Sequence, residues 1–147
     1  MGLTATARAI PGTLRQEIVI DGQHRLITDE PVRLGGDASG PAPHELLPAA
    51  LAGCIGTTLA QYARTKGWDL DGVTVDVDYD HKATPRRFDV SIRIGAALDD
   101  EQRERLEKVA RSCPVRRALD GQFAFVEEIE PHAALGGRVV VTPGGRS

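Results

Sequence analysis

The sequence lacks the features on which several large classes of protein depend. It holds three phenylalanines, two tyrosines and one tryptophan, and its net charge is −3, so neither an aromatic platform for bases nor a basic surface for nucleic acid is expected. No P-loop or dinucleotide-binding glycine motif occurs. No run reaches the roughly 20 apolar residues that span a bilayer, and the opening MGLTATARAI has no secretory signal pattern. We therefore expect a cytoplasmic protein that binds neither nucleic acid nor a membrane.

Cysteine and histidine are also scarce, which narrows the chemistry. The two cysteines, Cys54 and Cys113, lie 59 residues apart, which excludes a CxxC motif, and two cysteines alone do not make the usual structural zinc site. The histidines show no helical or hairpin pairing, so neither a metal site nor a cofactor is expected. They are His24, His44, His81 and His132. Because cytoplasmic disulfides are mostly transient and catalytic, the two thiols are the main candidates for chemistry.

Alternating apolar and polar residues predict antiparallel strands within a single domain, residues 1–147. The apolar fraction of 41% is ordinary for a globular protein. The first two strands are predicted to join in a two-residue turn at Asp21-Gly22, because both residue types tolerate positive φ. The predicted strands are residues 14–20, 24–28, 73–79, 88–94, 123–129 and 138–142.

The segment HELLPAALAGCIGTTLAQYARTKGW predicts a central helix. Its middle, residues 49–58, carries no charge, which is typical of a helix buried on most sides. Gly53 and Gly56, on either side of Cys54, would let another backbone approach closely. A charged amphipathic helix is predicted at 98–112.

Asp99 or Asp100 is expected to cap this second helix, and a short helical piece is expected at 115–119. Strands dominate the first third of the chain, and helices alternate with hairpin strands after it. The predicted fold class is therefore α+β, with an antiparallel sheet against a buried central helix.

The two thiols differ in their expected surroundings. Cys54 would lie about 15 Å along the axis from a helix start near His44, where the dipole no longer activates a thiolate. Packing alone explains it unless another residue brings a cation. Cys113 precedes Pro114, so backbone N–H groups could point at its sulfur and nearby arginines could lower its pKa; the alternative is an incidental thiol on a charged surface helix. Those arginines are Arg111, Arg116 and Arg117.

Two segments in this order, GPAPHELLPAALAGC and later SCPVRRAL, resemble the osmotically inducible protein C and organic hydroperoxide resistance family, written OsmC/Ohr. The order of elements is similar over residues 14–129. The resemblance implies an OsmC-like intertwined homodimer in which antiparallel sheets wrap around two central helices. It also implies an antioxidant, stress-response enzyme that reduces organic hydroperoxides, with hydrogen peroxide as a further candidate substrate.

The resemblance assigns a role to each cysteine. Cys54 would be the peroxidatic residue, whose thiolate attacks the peroxide and becomes a sulfenic acid. Cys113 would be the resolving residue, which condenses with that sulfenic acid to a disulfide that a thiol reductant reopens. A lipoylated protein is the reductant implied for the hydroperoxide branch, and no metal, flavin or haem is required.

One position departs from that pattern. The better-known hydroperoxide reductases carry P-E-x-L, in which the Glu pairs with an Arg beside the reactive thiol. Here His44 follows Pro43, and the acid comes one residue later as Glu45. Glu45 would lie about 13–14 Å from Cys54 and half a turn out of phase, so it could reach only a partner chain's cysteine. The simpler interpretation is a first-turn acid on the helix dipole, and the H-E-L-L form is similar to a third, less characterised branch.

The activating arginine has two candidates. Arg15, on the first strand of the N-terminal hairpin, lies nearest to the family's position, and Arg25 in the returning strand is the alternative. Each is otherwise an ordinary surface residue of a strand.

Two other functions fit parts of the sequence. A redox-quiet member of the same fold would bind a small apolar ligand at the dimer interface; the missing Glu favours this hypothesis and the two retained cysteines disfavour it. A thioesterase of the hot-dog type also wraps a sheet around a central helix. That enzyme needs an acid on or beside the helix, and the uncharged middle offers none.

Overall fold

The computed structural model describes residues 2–130 and the strand Val139–Val141, and it confirms the α+β class. The strands form the antiparallel sheets β1-β2-β3, β4-β5 and β6-β7. Short 3₁₀ turns at Val32–Leu34 and Pro43–Glu45 precede the first helix. In chain order the elements are β1 (Ala5–Ala9), β2 (Gln16–Ile20), β3 (His24–Thr28), α1 (Leu46–Lys66), β4 (Val73–Asp80), β5 (Arg87–Ile94), α2 (Asp100–Arg111), α3 (Pro114–Leu119), β6 (Glu127–Ile129) and β7 (Val139–Val141).

The N-terminal sheet follows the predicted hairpin with two differences. Ile20 pairs with His24, so the loop between β2 and β3 has three residues rather than the two predicted. Asp21 and Gly22 do adopt positive φ, 51° and 67°, as the Asp-Gly signal predicted. The sequence analysis missed β1, because A-T-A-R-A has only small apolar residues and gives little alternation of hydrophobicity.

The core lies between one face of α1 and the hairpin β4–β5. Leu51, Ile55, Leu59 and Ala63 recur every fourth residue of α1 and are buried. Leu70, Leu106, Ala110 and Cys113 complete the buried cluster. The inner face of the hairpin consists of the cross-strand pairs Val73–Ile94, Val75–Ile92, Val77–Val90 and Tyr79–Phe88. The period-2 pattern therefore predicted which face of this hairpin packs against the core.

The opposite face of α1 is exposed in the single chain, so the prediction of a helix buried on most sides is wrong for one copy. A Cβ on Gly53 would meet no atom of the described residues within 4 Å, and one on Gly56 would meet only the Val75 side chain, at 3.8 Å, so the predicted close approach of another backbone does not occur there. The exposed residues of α1 are Leu47, Ala49, Ala50, Gly53, Thr57, Ala60, Gln61, Arg64, Thr65 and Lys66. Contrary to expectation, Pro43–Lys66 is also long and apolar enough to cross a membrane, with a window of mean hydropathy 1.3. Its four buried residues show that it serves this fold as the core helix.

Asp99, rather than Asp100, caps α2. Its carboxylate accepts the N–H of Gln102 at 2.7 Å, while the Gln102 side-chain oxygen accepts the N–H of Asp99 at 3.1 Å. This reciprocal capping box satisfies two backbone donors that the first turn would otherwise leave free. The end of α2 and the start of α3 are thereby set close to the middle of α1.

The C-terminal strands are shorter than predicted. Of residues 123–129, only Glu127–Ile129 form a strand, paired with Val139–Val141. Phe123 and Phe125 are exposed and make no core contact that would extend the strand. The remaining residues of the predicted strand 138–142, Arg138 and Thr142, lie outside the described residues.

Candidate functional site

Cys54 lies in the middle of α1, partly buried, and packs against the core cluster. Because α1 begins at Leu46, Cys54 is about 12 Å along the axis from the helix start, beyond the reach of the dipole. Among residues 2–130, no arginine or lysine side chain donates a hydrogen bond to it. The part of the chain from residue 2 to residue 130 therefore places no hydrogen-bonded cation on the Cys54 sulfur.

Cys113 is the N-cap residue of α3 and is fully buried. Pro114 occupies the first helical position, where its fixed φ suits the turn and its missing N–H costs nothing. The Cys113 sulfur accepts the backbone N–H of Arg116 at 3.2 Å. The prediction that backbone donors point at this sulfur is therefore confirmed, and the alternative of an incidental surface thiol is wrong.

Folding brings the two thiols together. The pKa of Cys113 is raised, first because burial disfavours the thiolate, with further contributions from a side-chain hydrogen bond with Cys54 and the charge of that neighbour. The backbone N–H groups of Arg116 and Val115 oppose this rise without cancelling it. Cys113 is therefore a neutral thiol held against Cys54.

The expectation that arginines lower the pKa of Cys113 is wrong. The Arg116 guanidinium turns away to Asp120, at 3.2 Å, one helical turn along α3. Neither Arg111 nor Arg117 contributes to the shift in the pKa of Cys113. The largest cause of that shift is burial of the sulfur. Proximity in sequence did not bring a guanidinium to this thiol.

Arg15 lies in the N-terminal sheet region and pairs with two acids. Its Nη2 atom is 2.9 Å from a carboxylate oxygen of Asp37, and its Nε atom is 3.9 Å from Asp29. That Nε atom is buried and makes no hydrogen bond of its own. Within residues 2–130 neither Arg15 nor Arg25 contacts a cysteine; Arg25 is exposed and forms an ion pair with Glu17.

Asp29 organises the loop that carries Asp37, the ion-pair partner of Arg15. The carboxylate is buried and accepts the hydroxyl and N–H of Ser39 at 2.7 and 3.0 Å, and the N–H groups of Asp37 and Glu30 at 3.1 and 2.8 Å. The Ser39 hydroxyl is the largest of the causes that lower the pKa of Asp29 to about 2. The sequence pattern did not identify Asp29, because its partners lie in a loop without a regular element.

We expect Asp29→Asn to destabilise the fold in a pH-dependent manner. Because the pKa in the folded state lies below the ordinary value of 3.8, ionised Asp29 stabilises the fold above about pH 4, and this contribution is lost as the pH falls through about 2. Urea unfolding at pH 7 and pH 2.5 measures it, with Glu17→Gln on β2 as the control. An equal loss of stability for Asp29→Asn at both pH values would contradict the assignment.

Glu45 and His44, at the start of α1, make different contacts. The Glu45 carboxylate accepts the N–H of Ala42 at 3.1 Å, a local bond that fits its interpretation as a first-turn acid. The His44 ring contacts Tyr79, at 5.4 Å between centroids, and His81, at 5.1 Å. The sequence analysis missed this cluster, because His81 lies beyond the end of β4 and pattern reasoning does not bring it to α1.

Solved structures with the same fold include proteins from several bacteria. A putative osmotic stress induced and detoxification response protein from Psychrobacter arcticus is 29% identical, with a TM-score of 0.67, over 80% of this chain and 89% of that one. An organic hydroperoxide resistance protein OsmC from Legionella pneumophila is 24% identical, with a TM-score of 0.59, over 82% and 90%. OhrB of Bacillus subtilis is 23% identical, with a TM-score of 0.52, over 82% and 92%.

Sequence comparison gives the family directly. No curated protein sequence matches the chain. The family model described as OsmC-like protein matches residues 36–127, which include both cysteines, α1, the hairpin β4–β5 and α2. This match covers more than half of the chain, and the chain therefore belongs to the OsmC-like protein family.

Proposed function

We propose that this protein is a thiol-dependent peroxidase that reduces organic hydroperoxides through Cys54 and Cys113. A general role in peroxide resistance is supported by the family and by similar folds named as hydroperoxide resistance proteins. The observation that supports the mechanism is the proximity of two thiols remote in sequence: Cys54 packs against the core cluster that contains Cys113, and it contributes to raising the pKa of Cys113. Two neighbouring thiols, one partly exposed and one buried, have the arrangement that a reversible oxidation needs.

The first step is attack of the Cys54 thiolate on the terminal oxygen of the hydroperoxide. The O–O bond breaks, the alkoxide takes a proton and leaves as an alcohol, and Cys54 is oxidised to a sulfenic acid. Cys54 suits this role because it is partly exposed, whereas Cys113 is fully buried. Peroxide therefore reaches the sulfur of Cys54 first.

The second step closes the disulfide. Cys113 attacks the Cys54 sulfenic acid, the S–O bond breaks, and hydroxide leaves with the thiol proton as water. The raised pKa of Cys113 keeps that proton on the sulfur until the sulfenic acid forms. A dithiol reductant then supplies two electrons and two protons, restores both thiols and is itself oxidised to a disulfide; a lipoylated protein has this chemistry.

A second copy of the chain completes the site in this proposal. Between Ala49 and Ala60 the exposed residues of α1 are small and uncharged, which allows a second helix to pack closely there in an intertwined homodimer. The guanidinium that activates Cys54 would then come from the second copy. Arg15 suits this role better than Arg25, because its buried Nε donor makes no hydrogen bond among the described residues, although Asp29 lies 3.9 Å away.

The bound peroxide is expected to be an organic one. Leu47 and Ala50, on the turns of α1 that precede Cys54, are exposed, so an apolar substituent gains more from burial there than hydrogen peroxide does. In stopped-flow oxidation of the reduced protein, cumene hydroperoxide should react at least about tenfold faster than hydrogen peroxide, a difference of about 1.4 kcal/mol. A faster reaction with hydrogen peroxide would contradict the substrate class.

A redox-quiet ligand-binding function is the alternative. A cavity of about 580 Å³ between α1, β5 and α2 is lined by Leu59, Ile92 and Leu106, and this volume suits a small apolar ligand. The cysteine variants separate the two functions, because ligand binding does not require them. Peroxide consumption that is unchanged in Cys54→Ser would favour the ligand-binding function.

A further inference from the structure

The start of α1 and the end of β4 meet in an aromatic cluster that the peroxidase mechanism does not use. The rings of His44, Tyr79 and His81 are in mutual contact, with centroids 5.1 to 6.1 Å apart. Tyr79 stacks on Phe88 of β5, with 4.3 Å between the ring centroids and 10° between the ring planes. This stacking anchors the cluster on the hairpin β4–β5. Two imidazoles are thus held side by side on separate elements of the fold.

The distance between the imidazoles matches joint coordination of one metal ion. With Zn–N bonds of about 2.0–2.1 Å, each ring centroid lies about 3.2 Å from the ion, so a tetrahedral angle places the centroids about 5.2 Å apart. The observed separation of His44 and His81 is 5.1 Å, and the rings are inclined by 65° rather than stacked. The separation of the two rings is therefore compatible with two imidazoles on one ion.

The surrounding cavity favours a cation. It has a volume of about 630 Å³, and its charged lining is Glu30, Arg33, Glu45 and Asp78 in addition to the two histidines. Three carboxylates against one guanidinium give it a formal charge of −2 when the imidazoles are neutral. Neutral imidazole is the form that binds a metal, and carboxylates nearby orient the water molecules that complete the coordination.

The geometry points to a site for a borderline divalent transition-metal ion, of the Zn²⁺ class, bound by His44 and His81. Among residues 2–130, no third His, Cys, Asp or Glu joins the pair in a three-ligand group, so water fills the remaining positions. The site is therefore open and exchangeable rather than structural. It stands apart from the chemistry of Cys54 and Cys113, and it corrects the expectation that the histidines have no pairing.

Titration of the reduced protein with Co²⁺, followed by visible absorption and calorimetry, tests the assignment. We expect one equivalent per chain with weak d–d bands, because imidazole and water ligands give no thiolate charge-transfer band. His44→Ala and His81→Ala should each weaken binding by at least about 100-fold, since loss of an outer-shell partner alone costs about 10–100-fold. Both residues are exposed, so these variants keep the fold.

His24→Ala is the matched control, because His24 is exposed on β3 and has no such neighbour within residues 2–130. It should bind Co²⁺ as the unaltered protein does. Binding that survives in His44→Ala and His81→Ala would overturn the assignment. So would a thiolate charge-transfer band that disappears in Cys54→Ser, because the ion would then be bound by the cysteines.

Discussion

Replacing Cys54 with serine is expected to abolish peroxide reduction. A serine hydroxyl is not ionised at neutral pH and does not form the sulfenic acid, so the first chemical step is lost. We expect turnover with cumene hydroperoxide and a dithiol reductant to fall by at least about 10³-fold, equivalent to about 4 kcal/mol in the activation free energy. Measurement of residual hydroperoxide over time gives this rate.

Cys113→Ser is the informative companion, because it removes only the second step. This variant should consume about one equivalent of peroxide per chain and then stop or proceed to irreversible oxidation, since no thiol resolves the sulfenic acid. The serine retains an oxygen that can accept the Arg116 N–H, so α3 keeps its cap. Turnover that persists in Cys54→Ser would contradict the assigned order of the two cysteines.

Leu59→Ala is expected to have the largest effect on stability. Leu59 has 0% exposure in the middle of the core face of α1, between the hairpin β4–β5 and α2. Truncation removes buried methyl groups and leaves a cavity, which costs about 2–5 kcal/mol in the free energy of unfolding. Urea unfolding at a fixed protein concentration measures this loss, since assembly would make the midpoint depend on concentration.

The matched control is Leu3→Ala. Leu3 precedes β1 and is fully exposed, so the same truncation should change the free energy of unfolding by less than about 0.5 kcal/mol. A loss at Leu59 no greater than the loss at Leu3 would mean that α1 does not form the core that the structure describes. The comparison holds the chemistry of the substitution constant and changes only the burial.

Much of the fold could be predicted from local patterns. Four buried residues at every fourth position identified α1, and period-2 alternation identified β4 and β5 together with the face that packs. The capping residue of α2 was narrowed to Asp99 or Asp100, because only short polar side chains accept the first N–H groups. These elements were predictable since their signals lie within a few residues of one another.

The rest of the site depends on contacts between remote residues. No pattern within the chain places Cys113 against Cys54, and only the family resemblance implied that pairing. The contact of His44 with His81 depends on how β4 leaves the sheet, and Arg15 meets Asp37 because Asp29 folds the intervening loop. The arginines near Cys113 in sequence also led to a wrong prediction. Their charges do not offset the rise in the pKa of Cys113 that burial of its sulfur causes.

One face of α1 is left exposed by the contacts within a single chain. A helix whose middle, residues 49–58, carries no charge predicts burial on most sides, yet the chain buries only one face of α1. The proposed homodimer accounts for the difference, and it would also provide the cation that residues 2–130 of one chain do not place beside Cys54. Analytical ultracentrifugation should therefore find a dimer at micromolar concentration, and a monomer there would contradict the proposed source of that cation.

The most direct test of the central claim is the covalent state of the cysteines after one exposure to peroxide. The reduced protein, treated with one equivalent of cumene hydroperoxide per chain, should lose two hydrogens per chain, about 2 Da. Peptide mapping without reduction should then find Cys54 joined to Cys113, and a dithiol should restore the original mass. Two free thiols, or Cys54 carried directly to the sulfinic acid while Cys113 stays reduced, would contradict the proposed mechanism.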